Sequence, residues 1–139
     1  MAGYSGTPLA KKLGLAADQA VALLGAPDGF AATLEPLPDG VRVRTTTRGH
    51  LDLVVLFTTS RAELVRRLPP LGRAVHPDGM LWVAWPKKAS KVPTDVTEDV
   101  VRAEALPLGL VDTKVCAVDD VWSGLRLVWR REHRGAIPS

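Results

Sequence analysis

The stretch Leu51-Asp52-Leu53-Val54-Val55-Leu56-Phe57-Thr58-Thr59-Ser60-Arg61-Ala62-Glu63 decides the fold. From Leu53 to Phe57 it is apolar without interruption. A strand with one wet face alternates apolar and polar residues, so a continuous run marks a strand covered on both faces. Three residues later, Ser60 and Glu63 stand at the spacing of a capping box, in which each side chain satisfies a free backbone N–H at a helix start. A covered strand running directly into a capped helix is the repeating unit of a parallel sheet with helical crossovers.

Upstream, Ala20-Val21-Ala22-Leu23-Leu24 is a second continuous run, broken by Gly25-Ala26-Pro27-Asp28-Gly29 and followed by a brief helix from Phe30 to Leu34. Val41 to Thr45 alternates and reads as an edge strand. Before these, Thr7 is positioned to cap a short helix with Pro8 at its first position and Gly14 as its stop. Downstream, the Ser60 helix should run to about Leu68 and restart at Pro69-Pro70 toward Val75. Pro77-Asp78-Gly79 is a turn, and Met80 to Ala84 is a third covered strand. A loop from Pro86 to Pro93 holds Lys87, Lys88 and Lys91. Asp95 and Glu98 repeat the capping spacing for a helix ending near Leu108, with Gly109 as its stop. Leu110 to Val118 and Gly124 to Arg130 are joined by only Asp119 to Ser123, which permits an antiparallel pair alone. The expectation is an α/β, Rossmann-like three-layer sandwich: a mostly parallel sheet with a C-terminal antiparallel hairpin strand. Residues 1–131 form one domain in this reading, and 132–139 a polar, frayed tail.

Composition bounds the function classes. Eighteen Lys and Arg against 15 Asp and Glu give a net charge of +3, too little to imply nucleic acid when Arg42, Arg44, Lys87, Lys88, Arg130 and Arg134 are scattered. One cysteine, Cys116, forbids an internal disulfide and suits a reducing compartment. Apolar runs of five or six residues fall far short of the ~20 that span a bilayer. Without a recognisable leader pattern, the expected setting is cytoplasmic, with no membrane partner. His50, His76, His133 and Cys116 lack metal-ligand spacing, so no metal is expected.

The order of elements resembles the class I fold of methyltransferases dependent on S-adenosylmethionine, whose sheet also ends in an antiparallel hairpin strand. Val21 to Gly29 stands where that family has its glycine-rich loop, Leu51 to Val55 is similar to its fourth strand, and Val75 to Val83 to the turn and strand after it. The resemblance implies S-adenosylmethionine as cofactor. The residues disfavour it: the acidic residue that closes the family's second strand and binds the ribose is absent, since Val41 to Thr47 carries only Arg42 and Arg44 as charges. About six residues separate that strand from Asp52, too few for the family's intervening helix and strand. Over nearly its whole length the chain also resembles a small bacterial family known as domain of unknown function 3052. The phrases that carry this likeness are Gly3 to Gly14, Leu24 to Pro27, Trp85 to Lys88, Thr94 to Glu98 and Lys114 to Asp119. That likeness implies a fold and an intracellular setting, and no activity.

In an open α/β sheet, ligands bind beyond the carboxyl ends of the strands, where the strand order reverses. Three loops should converge there, contributing Gly25, Asp28 and Gly29, then Thr58, Thr59 and Ser60, then Trp85, Lys87, Lys88 and Thr94. Glycine N–H groups, hydroxyls and ammonium groups together suit an anion such as a nucleotide or phosphometabolite. No phosphate-loop motif is present, and the same residues could simply shape turns, cap helices and solvate a loop. Trp82 and Trp129 read as core and Trp85 reads either way. Cys116 reads as a small buried hydrophobe, and Asp119-Asp120 as a solvated turn. No catalytic residue can be named. The preferred reading is an anionic-ligand-binding domain. A minimal methyltransferase or a protein-interaction module is the alternative, and a homo-oligomer is compatible with either.

Overall fold

The computed structural model describes residues 7–137. Residues 1–6, with the Gly3 to Gly6 part of one phrase shared with domain of unknown function 3052, and the last two residues of the tail lie outside them. The strands are β1 (Ala20–Leu24), β2 (Arg42–Arg44), β3 (Leu53–Phe57), β4 (Met80–Pro86), β5 (Leu110–Ala117) and β6 (Trp122–Trp129). The helices are α1 (Leu9–Leu13), α2 (Arg61–Val75) and α3 (Glu98–Ala105), with 3-10 turns between them. The sheet order is β2-β1-β3-β4-β6-β5. The β1–β2, β1–β3 and β3–β4 pairs are parallel, and β6 runs antiparallel to both β4 and β5. The Rossmann-like α/β architecture is the one the sequence predicts.

Every residue of β1 and β3 is buried, so both faces must be covered. On one face α2 and α3 lay Leu64, Leu68, Leu71, Val75, Val101 and Ala105 over Ala20, Ala22, Leu24, Val54 and Leu56. The opposite face carries a thinner layer. Leu13, Leu15, Phe30 and Leu34 cover Val21, Leu23, Leu53, Val55 and Phe57, with Trp82 at the centre. The Trp82 indole N–H donates to the Leu13 carbonyl at 2.8 Å, and the Trp129 indole donates to the Gly72 carbonyl at 2.9 Å. The bulky aromatics are core with their one polar atom satisfied.

Three local expectations are corrected. The prolines do not divide α2, which is continuous through Pro69 and Pro70. The carbonyls four residues earlier, which the prolines leave unpaired, belong to Val65 and Arg66, both on the solvent side of the helix. Thr7 is not the N-cap of α1; Pro8 occupies that position. Thr97 rather than Asp95 caps α3, accepting from the Val100 N–H. Asp95 reaches instead to the first turn of α2, where its carboxylate accepts from the Arg61 N–H at 2.6 Å. The first turn of the predicted tail is tied back: the Arg134 Nε donates to the Trp129 carbonyl, and the His133 carbonyl lies 2.7 Å from His76 Nε2.

Arg102 of α3 binds Glu98 and Asp99 on its own helix and Asp112 of β5 at 2.9 Å. Its guanidinium hydrogen bond holds the Asp112 carboxyl below its ordinary range. A carboxyl depressed in the folded state contributes stability above its unfolded value of about 3.9 and loses it as the pH falls through the folded value. Below about pH 4, the urea midpoint of the native chain should therefore fall more steeply than that of Arg102→Gln; equal slopes would refute the coupling. Trp82→Phe removes the donor to Leu13 and leaves a buried carbonyl unpaired. It should cost about 2–3 kcal/mol in urea unfolding without altering the denaturant slope.

Candidate functional site

At the carboxyl end of β1 the chain must turn over the end of β3. Gly25 does so at φ 67°, and a Cβ there would lie 2.7 Å from the Phe57 carbonyl oxygen. Gly29 is also left-handed, at φ 81°, with nothing within 4 Å of a Cβ. Between them Asp28 is exposed, and Phe30 turns back into the core against Phe57. Only a 3-10 turn, Ala31–Leu34, follows this loop. The brief helix expected there is therefore too short to present a row of free N–H groups to an anion.

This loop and the end of β2 enclose a cleft of about 490 Å³. Its walls include Gly25, Asp28, Gly29, Val43, Thr45 and, from α2, Arg67. Asp28 and Arg67 are its only charged residues. Arg67 has a loose partner in Glu63 at 3.9 Å, while Asp28 has no ion pair among the described residues.

Thr58, Thr59 and Ser60 of the middle loop do not line this cleft, and the Thr58 and Ser60 hydroxyls are bonded elsewhere. The buried Thr58 hydroxyl binds the Glu63 carboxylate and accepts from the Ser60 N–H. The Ser60 hydroxyl accepts from the Glu63 N–H, but the other half of the predicted capping box does not form, because the Ser60 N–H donates to the Thr58 hydroxyl and the Glu63 carboxylate accepts from that hydroxyl. The Thr59 carbonyl accepts from the Asp95 N–H and from the Thr94 hydroxyl. With the Asp95 carboxylate on the Arg61 N–H, the start of α2 already holds a negative charge. An arriving anion would meet that carboxylate instead of free N–H groups.

The third loop forms a second cleft, of about 510 Å³, which shares no lining residue with the first. Trp85, Lys88, Lys91, Val92, Thr94 and Thr97 are among its walls. The expected convergence of three loops is therefore two separate clefts. Gly25, Asp28 and Gly29 line one, Trp85, Lys88 and Thr94 the other, and Lys87 lines neither. Val43, Thr45 and Arg67 were not expected. The first two follow from β2 lying beside β1, whereas nothing in the sequence brings Arg67 of α2 to the same opening.

Other candidates resolve without a site. Burial pushes the Cys116 thiol up, away from the reactive thiolate. Asp119 Oδ1 accepts from the Val121 and Trp122 N–H groups, closing the hairpin turn. Among the described residues, no group of three or more His, Cys, Asp or Glu side chains is placed to hold a metal ion, and no helix is long and apolar enough to cross a membrane.

Solved methyltransferases share this architecture. A SAM-dependent methyltransferase from Aquifex aeolicus superposes with a TM-score of 0.60 at 18% identity, over 84% of this chain and 85% of that one. Magnesium protoporphyrin IX methyltransferase from Synechocystis PCC 6803, solved with bound SAM, gives 0.56 at 10% identity, over 88% and 74%. The ribosomal protein L11 methylase from Lactobacillus delbrueckii subsp. bulgaricus gives 0.55 at 13%, over 88% and 75%. The fold is methyltransferase-like. Identities this low speak to the fold alone. No protein-family model and no curated protein matches the chain, so membership of domain of unknown function 3052 is not shown.

The two loop glycines make a paired test. Gly25→Ala meets both a left-handed backbone and a backbone oxygen, and should cost about 3 kcal/mol or prevent folding. Gly29→Ala meets the backbone cost alone and should lose about 1–2 kcal/mol. Equal losses in urea unfolding would show that the approach to Phe57 does not constrain the loop.

Proposed function

We propose that the chain binds an adenosyl ligand of the S-adenosylmethionine type in the cleft between the Gly25–Gly29 loop and the end of β2. The observation that carries this reading is the pairing of one carboxylate, Asp28, with one guanidinium, Arg67, in a cleft at the carboxyl ends of parallel strands. Ligands of open α/β sheets gather at that edge, and the volume lies within the range of small-molecule sites. A ligand carrying both hydroxyl or ammonium donors and a carboxylate finds a complement for each. A polyphosphate would be opposed by Asp28.

The residues fit such a ligand in part. The carboxylate comes from the first loop, because Arg44 and Thr45 stand at the end of β2 where an acid would otherwise take the ribose hydroxyls. Asp28 would accept from those hydroxyls, Arg67 would hold the ligand's carboxylate, and the Gly29 backbone is open to close approach. When bound, S-adenosylmethionine supplies a methyl group already activated on a sulfonium. The protein's remaining task is to orient donor and acceptor. The likeness to methyltransferase folds supports this minimal-methyltransferase reading over a phosphate-binding one at this cleft.

Thermal unfolding tests it. S-adenosylmethionine or S-adenosylhomocysteine at about 100 times its dissociation constant should stabilise by about 2.7 kcal/mol, on the order of 10 °C for a chain of this size. ATP should give no comparable shift, and Asp28→Asn should lose most of the adenosyl effect. A shift with ATP alone, or none with the adenosyl compounds, would overturn the assignment.

A further inference from the structure

We propose that the second cleft is a separate binding site for a small molecule that joins an apolar body to an anionic group. Its lining contains no acidic residue. Its two cations, Lys88 and Lys91, have no carboxylate within ion-pair distance among the described residues. Asp95, the acid nearest in sequence, is drawn away to the Arg61 N–H. Two uncompensated ammonium groups at the mouth of a concave site favour an anion.

The rest of the wall selects what the anion is attached to. Trp85 and Val96 are buried beneath the cleft, and Pro86, Val92 and Pro93 complete an apolar surface on which Val92 is 39% exposed. Thr97 accepts from the Val100 N–H and keeps its own hydroxyl proton to donate. Lys91 is held at φ 61°, a left-handed conformation that glycine adopts at less cost, with its N–H on the Lys88 carbonyl. That turn places both lysines on one opening.

This inference does not depend on the adenosyl reading, because the clefts share no residue. The probe pair 2-naphthyl phosphate and 2-naphthol, identical except for the anion, separates the charge from the apolar surface. Titrated into the full chain by calorimetry and by amide NMR, the phosphate should bind saturably and move the resonances of residues 85–97. The naphthol should bind about tenfold more weakly or worse. Lys88→Gln/Lys91→Gln should weaken the phosphate about tenfold or more and leave the naphthol unchanged, while Asp28→Asn should change neither. The proposal falls if the two probes bind equally, if the double substitution has no effect, if the shifts map to residues 23–31, or if no saturable binding occurs below about 10 mM.

Discussion

Leu53 to Phe57 bury every side chain on both faces of the sheet, and β1 beside them does the same. An apolar strand two layers deep cannot be left wet on either side, since a buried aliphatic side chain contributes about 1.5–3 kcal/mol relative to an exposed one. The rest of the chain is arranged around that demand. The α2 and α3 helices meet it on one face, clamped to each other where Arg61 binds Glu104 at 2.7 Å. On the other face one large side chain supplies much of the cover. Trp82 fills the centre of the layer and pins α1 through the Leu13 carbonyl. Asp52 joins the same pair of strands from below, its Oδ2 accepting from the Ala20 N–H at 2.8 Å.

That thin second layer explains the shape of the first cleft. A full helix after the Gly25–Gly29 loop would aim its N-terminal N–H groups at whatever lies above β1, and phosphate would be the natural guest. Here the loop drops into a single 3-10 turn, and Phe30 folds back onto Phe57. What remains beside the cleft is side-chain chemistry, Asp28 and Arg67, with glycine backbone that a ligand can approach. The covering demand thus leaves this cleft with side chains of opposite charge rather than a row of free backbone N–H groups.

The strands were legible because burial on two faces leaves a continuous apolar run, and Ala20–Leu24 is found as read. The edge strand was legible from its alternation, and the hairpin from a connection too short for a crossover. The site was legible only as a set of loops. Hydroxyls do not announce their partners: Thr58 and Thr94 look free in sequence, yet Thr58 bonds to Glu63 and Thr94 to the Thr59 carbonyl. Asp95 and Glu98 have the right spacing for a cap, but Thr97 takes that role and releases Asp95 to another helix. Such choices are made by distances between segments remote in sequence. Arg67 is the sharpest case, since its place at the first cleft depends on how α2 crosses the sheet.

Asp95 does more than cap a helix. Its carboxylate on the Arg61 N–H, with the Thr94 hydroxyl and its own N–H both on the Thr59 carbonyl, stitches the start of α3 to the start of α2. The stitch ties the middle loop to the start of α3. It also commits the Asp95 carboxylate to the Arg61 N–H rather than to Lys88 or Lys91. The carboxyl edge of the sheet holds two clefts of different charge: one of each sign around Asp28 and Arg67, two cations and no acid around Lys88 and Lys91. Clefts of unlike charge on one edge favour ligands of unlike charge, so the two proposed sites need not share a guest.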